Sequence, residues 1–166
     1  MGSNVTRADR VGLKTITNEG YEVEIIEYYS AFDCTFQFKC GLKLENRQYV
    51  HFRMGKIKYP FNPTIFNVGY MGNGNYTCRH ISYGSWYYMF QRIYKYNDKK
   101  TFYMYKDYSI SKEWRDFQNF AKWYEENAVD GLVFGLEAKD KIYAPQNCKF
   151  VTKEENEKFS FSYPRK

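Results

Sequence analysis

The sequence predicts an α+β protein made of a small N-terminal β module and a longer C-terminal half that combines helices with a β-hairpin. Much of residues 21–59 alternates apolar and polar side chains with a period of two, which is typical of strands with one buried face. After a stretch rich in proline and glycine at 59–76, apolar residues recur at helical spacing. This change of period predicts a β module at 11–66, an α+β domain at 67–160 and a tail at 161–166.

The β module is predicted to contain at least three short strands, beginning with "YEVEIIEYY". In "DCTFQFKCG", residues 33–41, every second side chain from Cys34 to Cys40 is apolar. In "RQYVHFRM", residues 47–54, Val50, Phe52 and Met54 share one face, so His51 on the other face is predicted to be a surface strand residue and not a ligand. Glycine turns between such strands indicate a small, strongly bent sheet or a barrel-like module.

The C-terminal half is predicted to contain two long amphipathic helices separated by a strand. "YGSWYYMFQRIYKY" at 83–96 and "SKEWRDFQNFAKWYEEN" at 111–127 have helical spacing, and Ser111 is a candidate N-cap of the second. "TFYMYKDYSI" at 101–110 reads as a strand. The predicted buried stripes are Trp86, Met89, Phe90, Ile93 and Tyr94 on the first helix and Trp114, Phe117, Phe120, Ala121 and Tyr124 on the second.

A β-hairpin and a short helix are predicted to follow. "LVFGLE" and "NCKFV" have the composition of strands, and "AKDKIYAPQ" connects them. Thr152 and Glu155 have the spacing of a capping box, which predicts the start of the last helix.

Composition restricts the setting and the class of partner. The net charge of +6 favours an anionic partner such as nucleic acid, although a basic surface also keeps a tyrosine-rich protein in solution. Cys34 and Cys40 would lie roughly 20 Å apart on one strand, too far for a disulfide, and no CxxC pair occurs. The sequence shows no apolar leader or membrane-length apolar run, so a reduced protein of the cytoplasm, without membrane contact, is expected.

Several motifs in a fixed order resemble bacteriophage proteins related to HNH homing endonucleases. They are "SWYYMFQRIY" at 85–94, "YKDYSISKEWRDFQNFAKWYEEN" at 105–127 and "IYAPQNCKFVTKEEN" at 142–156. In the first half, "DCTFQF", "GKIKYP", "NPTIFNVGY" and "GNGNY" are similar to the β module that precedes this region in many such proteins. The resemblance covers nearly the whole chain. It implies an HNH-like helical domain with a β-hairpin, a DNA-binding activity and a location in the host cell cytoplasm.

The residues expected to form the nuclease centre are only partly present. HNH nucleases hold one divalent metal between a hairpin and the next helix, and a general base, normally His, activates water. The resemblance places acidic residues on the first hairpin strand, where this chain has Leu132, Val133 and Phe134, which cannot bind a hard cation. Asn147 matches the asparagine before the second strand. We therefore expect a degenerate centre with no catalytic residue, no metal and no other cofactor, and Mg²⁺ only if the centre is active.

Two polar residues of this motif remain, and one of them has an alternative role. Asp140 lies near the hairpin turn and is treated with Asn147 as a relic of the motif, while Asp130 and Glu137 lie outside the expected register. Asn147 is alternatively a residue that orders the turn after Pro145.

Basic residues interleaved with tyrosines form the candidate nucleic-acid contacts. Lysine and arginine bind phosphates, and exposed tyrosines stack on bases. The alternative is a solvated helix end, because cations also favour the C-terminus of a helix dipole. The predicted contacts are Arg92, Lys95, Lys99, Lys100, Lys106, Lys139, Lys141 and Lys149.

Three functions remain open. The first is a phage-type protein that binds duplex DNA or another nucleic acid on an HNH-like scaffold with a degenerate nuclease centre. The second is an active metal-dependent HNH-type DNA endonuclease that uses displaced acids. The third is a counter-defence inhibitor that binds a host defence protein, for example a CRISPR effector or a host nuclease.

Overall fold

The computed structural model describes residues 10–95, 99–137 and 141–161. The chain divides into two compact units, Met1–Tyr59 and Pro60–Lys166, and the division falls within "YPFNP". The architecture is mixed α and β, as predicted, and includes a four-stranded antiparallel sheet. None of the helices in the described ranges combines the length and the apolar character that crossing a membrane requires.

The first unit is built on an antiparallel sheet with the strand order β1-β2-β3-β4. Two bulges interrupt the β2–β3 pairing, between Ile25 and Glu27 and between Tyr28 and Ser30, and bulges of this kind bend a strand. Both edge strands are open within the described residues, so no closed barrel is present there. The strands are β1 (Lys14–Ile16), β2 (Glu22–Ser30), β3 (Asp33–Phe38) and β4 (Lys43–Arg47).

The predicted strand at 47–54 is wrong, because this segment forms the short helix α1 (Tyr49–Arg53). Five residues satisfy a period of two and a period of 3.6 almost equally well, so the pattern does not discriminate. Only Phe52 of the predicted apolar face is buried, and its ring lies 5.6 Å from that of Phe36. His51 is exposed, as predicted, but on a helix.

The core of the first unit follows the predicted alternation of β3, with one exception. Cys34, Phe36 and Phe38 are buried, whereas Cys40 lies in the turn after β3 and is exposed. The strand ends at Phe38, because Gly41 donates its N–H to the Phe38 carbonyl at 2.8 Å and closes the turn. All four cysteines are free thiols.

The helices of the second unit match the predicted stripes closely. They are α2 (Tyr83–Tyr94), α3 (Lys99–Tyr105), α4 (Phe117–Asn127) and α5 (Lys153–Phe161). The α2 side chains Trp86, Met89, Phe90 and Ile93 are buried, as are Phe117, Phe120 and Ala121 of α4. Tyr94 and Tyr124 are only partly buried against the same core.

The strand predicted at 101–110 is mostly wrong, because α3 occupies its first half. Phe102, Tyr103 and Met104 are all exposed, so no alternating buried face exists to stabilise a strand. Only β5 (Ser109–Ile110) is extended. It pairs in parallel with β7 (Ile142–Tyr143), a contact between segments over 30 residues apart that the sequence pattern did not predict.

The N-cap of α4 is Asp116 and not Ser111. The Gln118 N–H donates to Asp116 Oδ1 at 2.9 Å, which satisfies one of the free amides of the first turn. Ser111 instead precedes a 3-10 turn at Glu113–Arg115, and its Oγ accepts from the Trp114 N–H at 3.3 Å. This turn interrupts what the periodicity indicated as one continuous helix.

The predicted hairpin strands pair as expected. Strand β6 (Val133–Leu136) is antiparallel to β8 (Cys148–Val151), with Phe134 opposite Phe150. The capping box that begins α5 is confirmed, because Glu155 N–H donates to Thr152 Oγ1 at 3.2 Å and Thr152 N–H donates to Glu155 Oε2 at 3.0 Å.

One buried hydrogen bond lies within the aromatic core of the second unit. The indole N–H of Trp86 donates to the Trp114 carbonyl at 2.7 Å, and both side chains are fully buried. The indole N–H of Trp114 is also buried, but has no hydrogen-bond partner among the described residues. The two tryptophans are therefore equally buried, but only the indole N–H of Trp86 has a hydrogen-bond partner among the described residues.

We expect Trp86→Phe to lower the free energy of unfolding by about 1 to 3 kcal/mol more than Trp114→Phe. Both changes remove the same atoms from fully buried positions, but only Trp86→Phe leaves a buried carbonyl without its donor. Urea unfolding followed by circular dichroism measures both. Equal losses for the two variants would contradict the importance of the Trp86 hydrogen bond.

Candidate nucleic-acid interface

Two of the predicted basic contacts lie at the C-terminal end of α2. Arg92 and Lys95 are both exposed, and Lys95 is the C-cap residue. Arg92 also contacts Tyr143, whose burial raises the pKa of its hydroxyl, while the charge of Arg92 and its hydrogen bond oppose that rise. Arg92 is thus partly engaged by the protein, whereas Lys95 makes no ion pair with a described residue.

Lys106 extends from the end of α3 beside an exposed aromatic side chain. Its Nζ lies 5.8 Å from the centre of the Tyr103 ring, and Tyr103 is 66% exposed. An ammonium group near an exposed ring is an arrangement that can accept a phosphate and an unpaired base together. Of the predicted contacts with described side chains, Lys106 combines charge and stacking surface most directly.

The parallel pairing of β5 with β7 brings Lys141 to an acidic partner. Lys141 Nζ lies 3.1 Å from Asp107 Oδ2 and 5.9 Å from the centre of the Tyr108 ring. Lys149 on β8 similarly lies 2.6 Å from Glu137 Oε1. Exposed pairs of this kind contribute little to stability, but each carboxylate offsets the positive potential of its lysine. These two lysines are therefore weaker phosphate ligands than the sequence suggested.

The remaining predicted contacts cannot be placed by their side chains. The backbones of Lys99 and Lys100 lie in α3, and their side chains lie outside the described part of the structure. Lys139 and Asp140 lie outside the described residues altogether.

The hairpin positions expected to hold acidic ligands are occupied by apolar side chains. Phe134 packs on the core, with ring centres 5.5 Å from Phe120, 5.9 Å from Trp123 and 6.0 Å from Trp114. Leu132 and Val133 are partly buried. A carboxylate in place of Phe134 would therefore be surrounded by aromatic rings, which is a costly environment for a charge.

Asn147 stabilises the turn between the hairpin strands. Its Nδ2 donates to the Ile142 carbonyl at 3.0 Å, and the residue ends a 3-10 turn at Pro145–Asn147. This hydrogen bond supports the turn-ordering role given as the alternative for Asn147, which stays a prediction. Cys148 follows immediately, and burial raises the pKa of its thiol to about 12.

The described residues contain no group of three or more His, Cys, Asp or Glu side chains arranged to hold a metal ion. The second unit also contains a hydrogen-bonded chain that the sequence did not predict. His80 contacts Ser82 Oγ through Nδ1 at 2.8 Å and Glu125 Oε1 through Nε2 at 3.0 Å, while the Tyr76 hydroxyl donates to Glu125 Oε2 at 2.6 Å. Ser82 is fully buried, so its hydroxyl is not available as a nucleophile.

The backbone of the glycine-rich "GNGNY" segment is attached to α4 by the Gln118 side chain. Gln118 Nε2 donates to the Met71 and Tyr76 carbonyls at 2.7 and 3.0 Å, and Gln118 Oε1 accepts from the Tyr76 N–H at 3.0 Å. A side chain at Gly72 would collide with the Asp116 carboxylate, and one at Gly74 would collide with Gln118. In the sequence, only the glycines indicated this close approach. No sequence feature identified Gln118, over 40 residues away, as the partner.

Comparison with known protein families, curated proteins and solved structures finds no match for this chain. The resemblance to HNH-related phage proteins therefore stays a prediction.

We expect Asn147→Ala to lower the free energy of unfolding by about 0.5 to 1.5 kcal/mol, because the Ile142 carbonyl loses its donor. Gln146→Ala, an exposed position in the same turn, is the matched control and should change stability by less than about 0.5 kcal/mol. Denaturant unfolding distinguishes the two. An Asn147→Ala protein as stable as the control would show that the hydrogen bond does not order the turn.

Glu125 should make stability depend on pH in the acid range. Hydrogen bonds from Tyr76 and then from His80 hold the pKa of Glu125 below its ordinary value of 4.5. The stabilisation is therefore complete above pH 4.5 and is lost as the pH falls through the lower folded-state pKa. The Tm difference between wild type and Glu125→Gln should shrink on acidification. A Tm difference that stays constant from neutral pH to pH 3 would contradict this linkage.

Proposed function

We propose that this protein binds nucleic acid, with duplex DNA as the principal partner, on an HNH-endonuclease-like scaffold whose nuclease centre is degenerate. The observation that carries the proposal is the position of Phe134. It belongs to the first strand of the hairpin, where the resemblance calls for acidic ligands, and its partly buried ring packs against the aromatic core. The same hairpin leads directly into α5, which is the order of elements that the resemblance implies.

The basic surface of the second unit supports a binding role. Lys95 and Lys106 are exposed and have no carboxylate partner among the described residues, and Tyr103 offers a ring beside Lys106. Contacts of this type position a protein on the phosphate backbone and carry little sequence information. Binding with weak sequence preference and strong salt dependence follows from them.

The proposal is tested by incubating the protein with supercoiled plasmid and Mg²⁺ or Mn²⁺ at several salt concentrations. We expect retarded migration without nicking, and a slope of about −4 to −5 for log K against log salt if roughly five cations meet phosphates. Lys95→Gln with Lys106→Gln should make the slope less negative by about 1.8. Lys141→Gln with Lys149→Gln is the control, and should change it less because both lysines already face carboxylates.

Two results would overturn the proposal. Metal-dependent nicking that Asp140→Ala abolishes would show a rebuilt nuclease centre, and the endonuclease alternative would replace it. A protein that does not bind DNA at any salt concentration would remove the nucleic-acid partner, and would favour a host defence protein.

A further inference from the structure

Acidic residues are absent from a long central part of the sequence. Residues 46–97 contain no aspartate or glutamate, although they include both histidines and several lysines and arginines. The first part of this range belongs to the N-terminal unit. None of the predicted nucleic-acid contacts lies in that unit. Its cations in that unit are Arg47, Arg53, Lys56 and Lys58.

The chain from α1 to Tyr59 covers the core side of the sheet, and we call residues 49–59 the covering segment. Phe52 and Ile57 are each 5% exposed and belong to the same apolar cluster as the inward side chains of β2 and β3. Lys56 and Lys58 flank Ile57 and are exposed, as is Arg53 on α1. The buried residue therefore anchors the segment while the cations face solvent.

The backbone of the covering segment is fixed on both sides of Lys56 and Lys58. Gly55 has a φ of +64°, and its carbonyl accepts from the Asn18 N–H at 2.7 Å. At the other end the Tyr59 N–H donates to Glu19 Oε2 at 2.9 Å, and the Tyr59 ring packs 5.0 Å from that of Phe38. Lys56 and Lys58 therefore lie two residues apart on a backbone segment that is hydrogen-bonded on both sides.

Acidic side chains of the same unit concentrate on the other face of the sheet. Glu22, Glu24 and Glu27 alternate with buried residues on β2 and so point away from the covering segment. Glu22 and Glu24 pair with Lys14 at 3.4 and 3.5 Å, and Glu27 accepts from Thr35 Oγ1 at 2.7 Å. Within the described residues, Arg53, Lys56 and Lys58 have no ion pair, side-chain hydrogen bond or cation–π contact, unlike Lys141 and Lys149.

We propose that the covering segment is a second nucleic-acid contact surface, in which Arg53, Lys56 and Lys58 bind the phosphates of duplex DNA. This inference rests on the proposed function and adds to it a contact in the β module. Arg53, Lys56 and Lys58 make no ion pair with a described residue, and the Glu19 carboxylate at the Tyr59 end of the segment accepts from a backbone N–H. Three exposed cations of this kind produce a positive surface potential that a polyanion neutralises with release of counterions.

An acidic protein is the competing partner for this surface. Val50 and Met54 are 45% and 50% exposed on α1, and apolar side chains of that kind are also used in protein contacts. Charge favours DNA, because the segment contains three cations and no carboxylate that could pair with a cation of a protein partner. Competition between the duplex and polyglutamate separates the two partners.

The test compares the double variant Lys56→Gln/Lys58→Gln with wild type. Fluorescence anisotropy titrations of a labelled duplex over a salt series measure the binding of both proteins. We expect weaker binding and a slope of log K against log salt that is less negative by about 1.8. The matched control is Lys14→Gln with Lys43→Gln, which removes two charges from the outer face of the same unit and should leave the slope nearly unchanged. Thermal unfolding confirms that all three proteins fold.

Lysine acetylation read by mass spectrometry gives a second measurement that requires no variant, and bound duplex should protect Lys56 and Lys58 but not Lys14. The inference fails if wild type binds DNA and the Lys56/Lys58 variant has the same slope, or if the control variant loses as much. It also fails if polyglutamate displaces the duplex at equal charge concentration, which would indicate an acidic protein. Failure of wild type itself to bind DNA would instead refute the proposed function.

Discussion

The hydrogen bond from the Trp86 indole to the Trp114 carbonyl is the contact on which the arrangement of the second unit depends. It joins α2 to the 3-10 turn before α4 inside a cluster of aromatic rings. Aromatic contacts alone tolerate sliding and rotation, whereas a buried donor and acceptor are satisfied in one relative position. Since Lys95 lies at the end of α2, the position of the basic surface follows from this bond.

The sequence pattern predicted the elements that have a long, regular apolar stripe. Helices α2 and α4 bury most of the side chains that the spacing indicated, and strands β6 and β8 pair as predicted. Short segments failed, because in α1 and α3 five to seven residues satisfy either period and the deciding factor is which side chains find a partner. Asp116 replaced Ser111 as the N-cap because a 3-10 turn interposed between them, and local propensity does not register that turn.

The candidate site was predictable in composition but not in electrostatics. Counting lysines and tyrosines located the segment around α3, yet the partners of Lys141 and Lys149 depend on pairing between strands that are distant in sequence. A strand pair can bring a carboxylate to a lysine 34 residues away, and no local pattern reports it. The strand predicted at 47–54 contains only Arg53 of the three cations in the covering segment, and no local pattern indicated that Lys56 and Lys58 flank a buried residue.

The attachment of the glycine-rich loop to α4 has a consequence for motion. Residues 72–75 are largely exposed and would ordinarily be expected to open freely, independent of the helices. Gln118, however, binds backbone groups of Met71 and Tyr76 from within the first turn of α4. The glycines let the loop lie so close to the helix that a side chain in their place would collide with it. The Tyr76 amide should therefore exchange its hydrogen slowly for a group on an exposed loop, because exchange requires the contact with Gln118 to break. The motion of the loop is thus coupled to the first turn of an amphipathic helix through the Gln118 side chain.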